Sequence, residues 1–129
     1  MWGSVGSKIV LLTSKSKDKM FDVKKEAGIV ISTYTMISFQ GERSNESAVM
    51  LDQIKSMEWG LLILDEVQVV PAEIFKKVLE IAKSHCKLGL TATLVREDDK
   101  IKNLNFLIGP KLFEANWLDL IEKGFLARV

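Results

Sequence analysis

The chain has 129 residues, of which 47% are hydrophobic and 27% are charged. This length and composition fit one globular domain, residues 1–129, and leave no room for a second one. A total of 18 Lys and Arg residues against 17 Asp and Glu residues gives a net charge of +1, which excludes an overall charge field that attracts nucleic acid or membranes. The single Cys cannot form an internal disulfide, and we find no signal peptide or long apolar run, so we expect an intracellular setting without a membrane.

Short apolar runs along the chain predict strands. They are residues 8–13 (KIVLLT), 28–33 (GIVIST), 61–65 (LLILD) and 86–92 (CKLGLTA). The first two lack the polar alternation of half-exposed strands, so we expect both to be buried on two faces.

Helical patterns lie between and after these runs. A helix is predicted over residues 44–59, behind a Ser/Asn cap candidate, because Ser47, Met50, Ile54 and Met57 recur at spacings of three and four. A second helix is predicted from Pro71 to near His85, and a third over residues 116–124, ended by Gly124. The alternation of strands and helices predicts an α/β fold with a mostly parallel sheet. The apolar residues expected on the inner face of the second helix are Ile74, Phe75, Val78, Leu79 and Ala82.

Ligands of such sheets bind beyond the carboxyl ends of the strands. One of these positions holds two adjacent acids, Asp65 and Glu66. An arbitrary acid pair after a strand is most often a cap or a solvated turn. The functional alternative is that one carboxylate holds Mg²⁺ through its water shell while its neighbour accepts a proton from a water molecule that attacks a phosphoryl group.

Two segments then carry a resemblance to a known family. ILDEVQVVPAEIF (63–75) resembles motif II of superfamily 2 helicases, and LGLTATLVREDDKI (88–101) resembles motif III followed by the Arg-Glu-Asp signature of the XPB family. VISTYTMIS (30–38) and NFLIGPKLFEANW (105–117) are similar to the same family, so the resemblance covers nearly the whole chain. It implies a RecA-like (P-loop NTPase) first helicase domain in a nuclear, ATP- and Mg²⁺-dependent DNA helicase or translocase. In this family that enzyme works with DNA and other TFIIH subunits in transcription initiation and nucleotide excision repair.

The resemblance also implies roles for individual residues. Asp65 would be associated with Mg²⁺, and Glu66 would be the base that orients or deprotonates the attacking water. Coupling of nucleotide state to DNA is implied for Gln68, Thr91, Ala92 and Thr93. DNA contact or opening is implied for Thr33, Tyr34, Arg96, Glu97 and Asp98.

Two departures from the family limit what the resemblance implies. Gln68 stands where the family usually has His, and glutamine cannot gain a proton near neutral pH. No G-x-x-x-x-G-K-[ST] phosphate loop occurs in the chain. We therefore expect a partial first helicase domain that is inactive alone and whose exposed sheet edge favours self-association. The alternative is a nonenzymatic α/β module that binds DNA or a protein partner.

A phosphoacceptor receiver domain is a weaker rival. It would place Thr91 and Lys111 beside Asp65, but it requires further acids after the first strand, where this chain has Thr13 and Ser14. That difference disfavours a receiver domain.

Overall fold

The structure is a computed structural model that describes residues 8–16, 18–22, 27–91 and 106–125, apart from the side chain of residue 117. The chain divides into two compact units, Met1–Val95 and Arg96–Val129. The first unit contains all the strands of the described ranges, and the second contains a short helix over residues 117–122.

The first unit alternates strands and helices. β1 pairs with β2 and β3 pairs with β4, both in parallel register, so the described residues contain two small parallel sheets. This arrangement confirms the predicted α/β fold with parallel strands and is that of a partial RecA-like domain. The elements of this unit, in chain order, are β1 (Lys8–Leu12), β2 (Gly28–Ser32), α1 (Tyr34–Ser38), α2 (Asn45–Ser56), β3 (Trp59–Leu64), α3 (Ala72–Ile81) and β4 (Ser84–Gly89).

Helix α2 begins where the sequence predicts it. The side chain of Ser44 accepts a hydrogen bond from the backbone N–H of Ser47 at 3.4 Å, as an N-cap residue does. Met50 and Ile54 are buried, which confirms the predicted inner face. The helix ends at Ser56, earlier than predicted. Residue 59 instead begins β3.

Helix α3 begins directly after Pro71. Phe75 and Val78 of the helix and Ala82, its C-cap, are buried as predicted, whereas Ile74 and Leu79 are only half-buried. It ends at Ile81, so the prediction that it reaches His85 is wrong. His85 lies in β4, whose first residue pairs with the first residue of β3. Because residue 84 already pairs with residue 59 in the sheet, the helix ends before the apolar pattern does.

The prediction that the first two strands are buried on both faces is wrong. Val10 and Leu12 are fully buried, whereas the side chain of Ile9 in the same strand is 58% exposed. Ile29 in β2 and Ile63 in β3 are exposed to similar extents, 53% and 55%. Successive side chains of a strand point to opposite faces. One face of each sheet is therefore packed, while the opposite face presents aliphatic side chains to solvent.

The second unit contains α4 (Trp117–Glu122). Asn116 caps this helix by accepting a hydrogen bond from the backbone N–H of Leu118 at 2.9 Å. Gly124 follows with a φ of 75°, a conformation that ends helices and favours glycine. The predicted helix over residues 116–124 is thus confirmed. No helix within the described ranges is long and apolar enough to cross a membrane.

Candidate active site

The acid pair forms a strained turn at the carboxyl end of β3. Asp65 and Glu66 are both exposed, and Glu66 has a φ of 51°, in the left-handed region. For a residue other than glycine this conformation costs about 1–2 kcal/mol. The Asp65 carboxylate oxygen Oδ1 accepts a hydrogen bond from the backbone N–H of Glu66 at 3.0 Å. Strain of this kind persists only where surrounding contacts hold it, and it is common at functional sites.

Backbone hydrogen bonds join this turn to the residue that follows β4. The N–H of Leu90 donates to the carbonyl of Leu64 at 2.8 Å, and the N–H of Val67 donates to the carbonyl of Leu90 at 3.2 Å. Val67 is buried, which anchors the far side of the turn in the core. The ends of β3 and β4 are thereby held together beyond the strand pair itself.

The Gln68 side chain bridges Glu66 and Thr91. Its Nε2 donates to the Glu66 carboxylate Oε2 at 2.5 Å, and its Oε1 accepts a hydrogen bond from the Thr91 hydroxyl at 2.5 Å. Gln68 therefore joins two other residues for which the family resemblance implies catalysis and coupling, Glu66 and Thr91. Their functional roles stay predictions. The other two proposed coupling residues, Ala92 and Thr93, lie outside the described residues.

Tyr34 reaches the same turn from the end of β2. It is half-buried, and its hydroxyl donates to the backbone carbonyl of Asp65 at 2.7 Å. Burial, together with the nearby Asp65 charge, raises the pKa of Tyr34 from its ordinary value of 10.0 to about 12. The family resemblance implies a DNA contact for Tyr34 and did not indicate this hydrogen bond. The only signal for it was that both residues lie just beyond the carboxyl ends of parallel strands.

Thr33 is exposed and caps α1, its Oγ1 accepting a hydrogen bond from the backbone N–H of Met36 at 3.1 Å. Its predicted DNA contact stays a prediction. The remaining residues predicted to face DNA, Arg96, Glu97 and Asp98, lie outside the described residues.

Arg43 holds the other end of α1, a role the sequence did not reveal. Its guanidinium donates to the backbone carbonyls of Met36, Ile37 and Phe39 at 2.8, 3.2 and 2.5 Å. It also lies 5.5 Å from the centre of the Phe39 ring. Because its partners are mostly backbone atoms, no periodicity of side chains could have indicated this position. Arg43 thereby fixes the helix that carries Tyr34.

The acid pair fits a metal held mainly by water and ligand oxygens. Within the described ranges, no group of three or more His, Cys, Asp or Glu side chains could hold a metal ion. Mg²⁺ in phosphoryl-transfer sites is usually held by one or two carboxylates, with water and phosphate oxygens completing its shell. The exposed carboxylate of Asp65 matches that donor set.

Residues 5–96 match the family described as "Type III restriction enzyme, res subunit". Over 130 aligned residues covering the whole chain, the sequence is 55% identical to the "General transcription and DNA repair factor IIH helicase/translocase subunit XPB2" of Arabidopsis thaliana. Over the same coverage it is 57% and 52% identical to the XPB subunits of Dictyostelium discoideum and Drosophila melanogaster. The chain spans 17%, 16% and 16% of the lengths of these three relatives. The chain belongs to the family of the type III restriction enzyme res subunit, and its whole length is similar to a segment of the XPB subunits.

Proposed function

We propose that this chain is the part of an XPB-type, ATP-dependent DNA helicase or translocase that activates water for hydrolysis and couples this step to DNA. In this proposal, residues 1–129 form part of the first helicase domain. The printed names of the relatives, which describe helicase/translocase subunits of a general transcription and DNA repair factor, support it. The proposal includes DNA and other TFIIH subunits as partners, transcription initiation and nucleotide excision repair as processes, and the nucleus as location; the words transcription, DNA repair and subunit in the relatives' names support it. A nonenzymatic binding module is not favoured by these relatives.

One observation carries the proposal: the acid pair lies in a strained turn that is fixed by hydrogen bonds from the end of a neighbouring strand. Leu90 holds the backbone on both sides of the turn, and Gln68 holds the Glu66 carboxylate. A cap or a solvated turn requires neither a left-handed Glu66 nor a side chain bridging it to Thr91. A catalytic base does require a fixed carboxylate, because it must lie within hydrogen-bonding reach of the water that it activates.

In the mechanism, Glu66 accepts the proton of the attacking water. The hydrogen bond from Gln68 orients its carboxylate, and the Thr91 hydroxyl in turn orients the Gln68 amide. Asp65 would hold Mg²⁺, which when bound neutralises charge on the transferring phosphates of ATP. Through Thr91 the position of the base depends on the segment that follows β4. Thr33, Arg96, Glu97 and Asp98 are the proposed DNA contacts.

The proposal can be tested in a full-length protein. The Arabidopsis relative aligns with the whole chain, so its matching segment can be replaced by this 129-residue sequence. In this chimera we expect DNA-dependent ATP hydrolysis. Glu66→Gln keeps the shape of the side chain but removes the proton acceptor, so it should slow single-turnover hydrolysis by roughly 10²–10⁴-fold while nucleotide binding stays largely intact. Asp65→Asn should instead make hydrolysis depend on higher Mg²⁺.

Glu80→Gln provides the matched control, because Glu80 is an exposed glutamate on α3, outside the acid-pair turn. It should hydrolyse ATP at the rate of the unchanged chimera. Near-normal hydrolysis by the Glu66→Gln protein would show that the acid pair is a structural turn. A chimera that binds ATP and DNA but hydrolyses no ATP would also overturn the proposal.

A further inference from the structure

The peptide group between Asp65 and Glu66 is held at both of its polar atoms. Its carbonyl oxygen accepts the Tyr34 hydroxyl at 2.7 Å, and its N–H donates to the Asp65 carboxylate at 3.0 Å. The orientation of a peptide plane fixes ψ of the residue before it and φ of the residue after it. The two hydrogen bonds therefore act on the same torsion that places Glu66 in the left-handed region.

Of these two contacts, only the one from Tyr34 comes from outside the turn. The Asp65 carboxylate moves with its own residue and can follow a rotated peptide. Tyr34 is fixed independently, since Thr33 caps the start of α1 and Arg43 binds carbonyl groups at its end. The ring of Tyr34 is half-buried, so its hydroxyl cannot readily follow a change in the turn.

The same contact crosses from one strand pair to the other. Among the described residues β1–β2 and β3–β4 form separate sheets, and Tyr34 lies two residues after the end of β2 whereas Asp65 directly follows β3. A hydrogen bond between these two strand ends makes the acid pair sensitive to the position of α1.

We propose that Tyr34 is a positioning residue, whose hydroxyl holds the peptide between Asp65 and Glu66 and so keeps the Glu66 carboxylate in its working orientation. This inference rests on the proposed function of Glu66. It gives the Tyr34 hydroxyl a role in hydrolysis in place of the direct contact with DNA that the sequence suggested. A displacement of α1 would then change the rate of hydrolysis through this hydrogen bond.

Tyr34→Phe in the chimera removes the hydroxyl and keeps the ring. We expect kcat for ATP hydrolysis to fall about 5–10-fold, the worth of one hydrogen bond to an oriented group, while KM for ATP and the affinity for DNA change less than twofold. Thr35→Val is the matched control, because it removes a hydroxyl from the next residue of α1, which is exposed. It should leave kcat unchanged.

Further outcomes separate the possible roles of Tyr34. If Tyr34 acts through Glu66, Tyr34→Phe should slow hydrolysis in the unchanged chimera but have no further effect in the Glu66→Gln background. Equal effects in both backgrounds would overturn the proposal. So would a loss of DNA affinity with kcat unchanged, which would identify a DNA contact. If Glu66→Gln itself has no effect, the proposed function fails; if only Tyr34→Phe has no effect, this inference alone fails.

A measurement without nucleotide tests the contact directly in the 129-residue chain. Tyr34→Phe should shift the ¹³C resonance of the Asp65 carbonyl and the ¹⁵N resonance of the Glu66 amide. The resonances of Leu62, in the middle of β3, should stay in place and report that the fold is intact. Unchanged resonances at the Asp65–Glu66 peptide would contradict the proposal whatever the kinetics show.

Discussion

The bridge between Gln68 and Thr91 makes a quantitative prediction about stability. Both residues are half-buried, and the Thr91 hydroxyl donates to Gln68 Oε1. A hydrogen bond between neutral groups contributes about 0.5–1.5 kcal/mol net, so we expect a coupling free energy of about 1 kcal/mol between the two side chains. Gln68→Ala, Thr91→Val and the double variant, compared with the unchanged chain, isolate this quantity. The free energy of unfolding is measured by urea titration followed by tryptophan fluorescence.

A control cycle shows whether the coupling is specific. Ser32→Ala removes a hydroxyl that donates to the carbonyl of Leu12 at 2.7 Å, within the β1–β2 pair. Combined with Thr91→Val it should give additive losses, because the two hydroxyls bind different partners. Additivity within about 0.3–0.5 kcal/mol in the Gln68 and Thr91 cycle as well would refute the bridge as an energetic contact.

Three further predictions concern other parts of the chain. Arg43→Lys should lower the free energy of unfolding by about 1–2 kcal/mol, because an ammonium group cannot bind three carbonyl groups with the geometry of the guanidinium. Urea titration measures this change, and an unchanged urea midpoint of unfolding would contradict the prediction. Tyr34 is the only tyrosine, so absorbance at high pH should report its pKa alone, near 12 when folded and near 10 in urea. Because folding raises this pKa, its contribution to stability is present below pH 10 and is lost as the pH rises from about 10 to about 12, and a folded value of 10 would refute the burial of Tyr34 beside the Asp65 charge. The double variant Ile29→Lys, Ile63→Lys should reduce self-association of the 129-residue chain, because both isoleucines are more than half exposed on open sheet faces. Sedimentation experiments measure this, and undiminished association would contradict the prediction.

The strands and the longer helices could be predicted because their signals are local. A cap at Ser44 and an apolar stripe through Met50 and Ile54 identify α2 without reference to the rest of the chain. Helix α1 has only five residues, too few to show a period, and its ends depend on Thr33 and Arg43. A contact between a side chain and a backbone carbonyl leaves no pattern in the sequence, so this element was missed.

The candidate site likewise has a part that the sequence could predict and a part that it could not. The position of Asp65 and Glu66 could be predicted, because both acids follow an apolar strand and ligands of parallel sheets bind beyond the carboxyl ends of the strands. The conformation of Glu66 could not, since its positive φ depends on contacts from segments distant in sequence. Gln68 and Thr91 are separated by 23 positions, and Tyr34 and Asp65 by 31. The prediction that the first two strands are buried on both faces failed for a related reason. Ile9 is apolar but exposed, so apolar residues on both faces of a strand do not by themselves show that both faces are covered.

The balance of free energies at the turn explains why several contacts converge on it. Placing Glu66 in the left-handed region costs about 1–2 kcal/mol, and each hydrogen bond that supports it returns about 1 kcal/mol. The carbonyl of Asp65, bound by Tyr34, and the carboxylate of Glu66, bound by Gln68, are held from different strand ends. Losing either bond brings the left-handed conformation of Glu66 close in free energy to an ordinary conformation with negative φ. A free-energy difference of about 1.4 kcal/mol changes the ratio of two such conformations tenfold. In the proposed mechanism, in which Glu66 is the base, small movements after β2 or β4 would engage or release its carboxylate, as coupling of hydrolysis to a distant ligand requires.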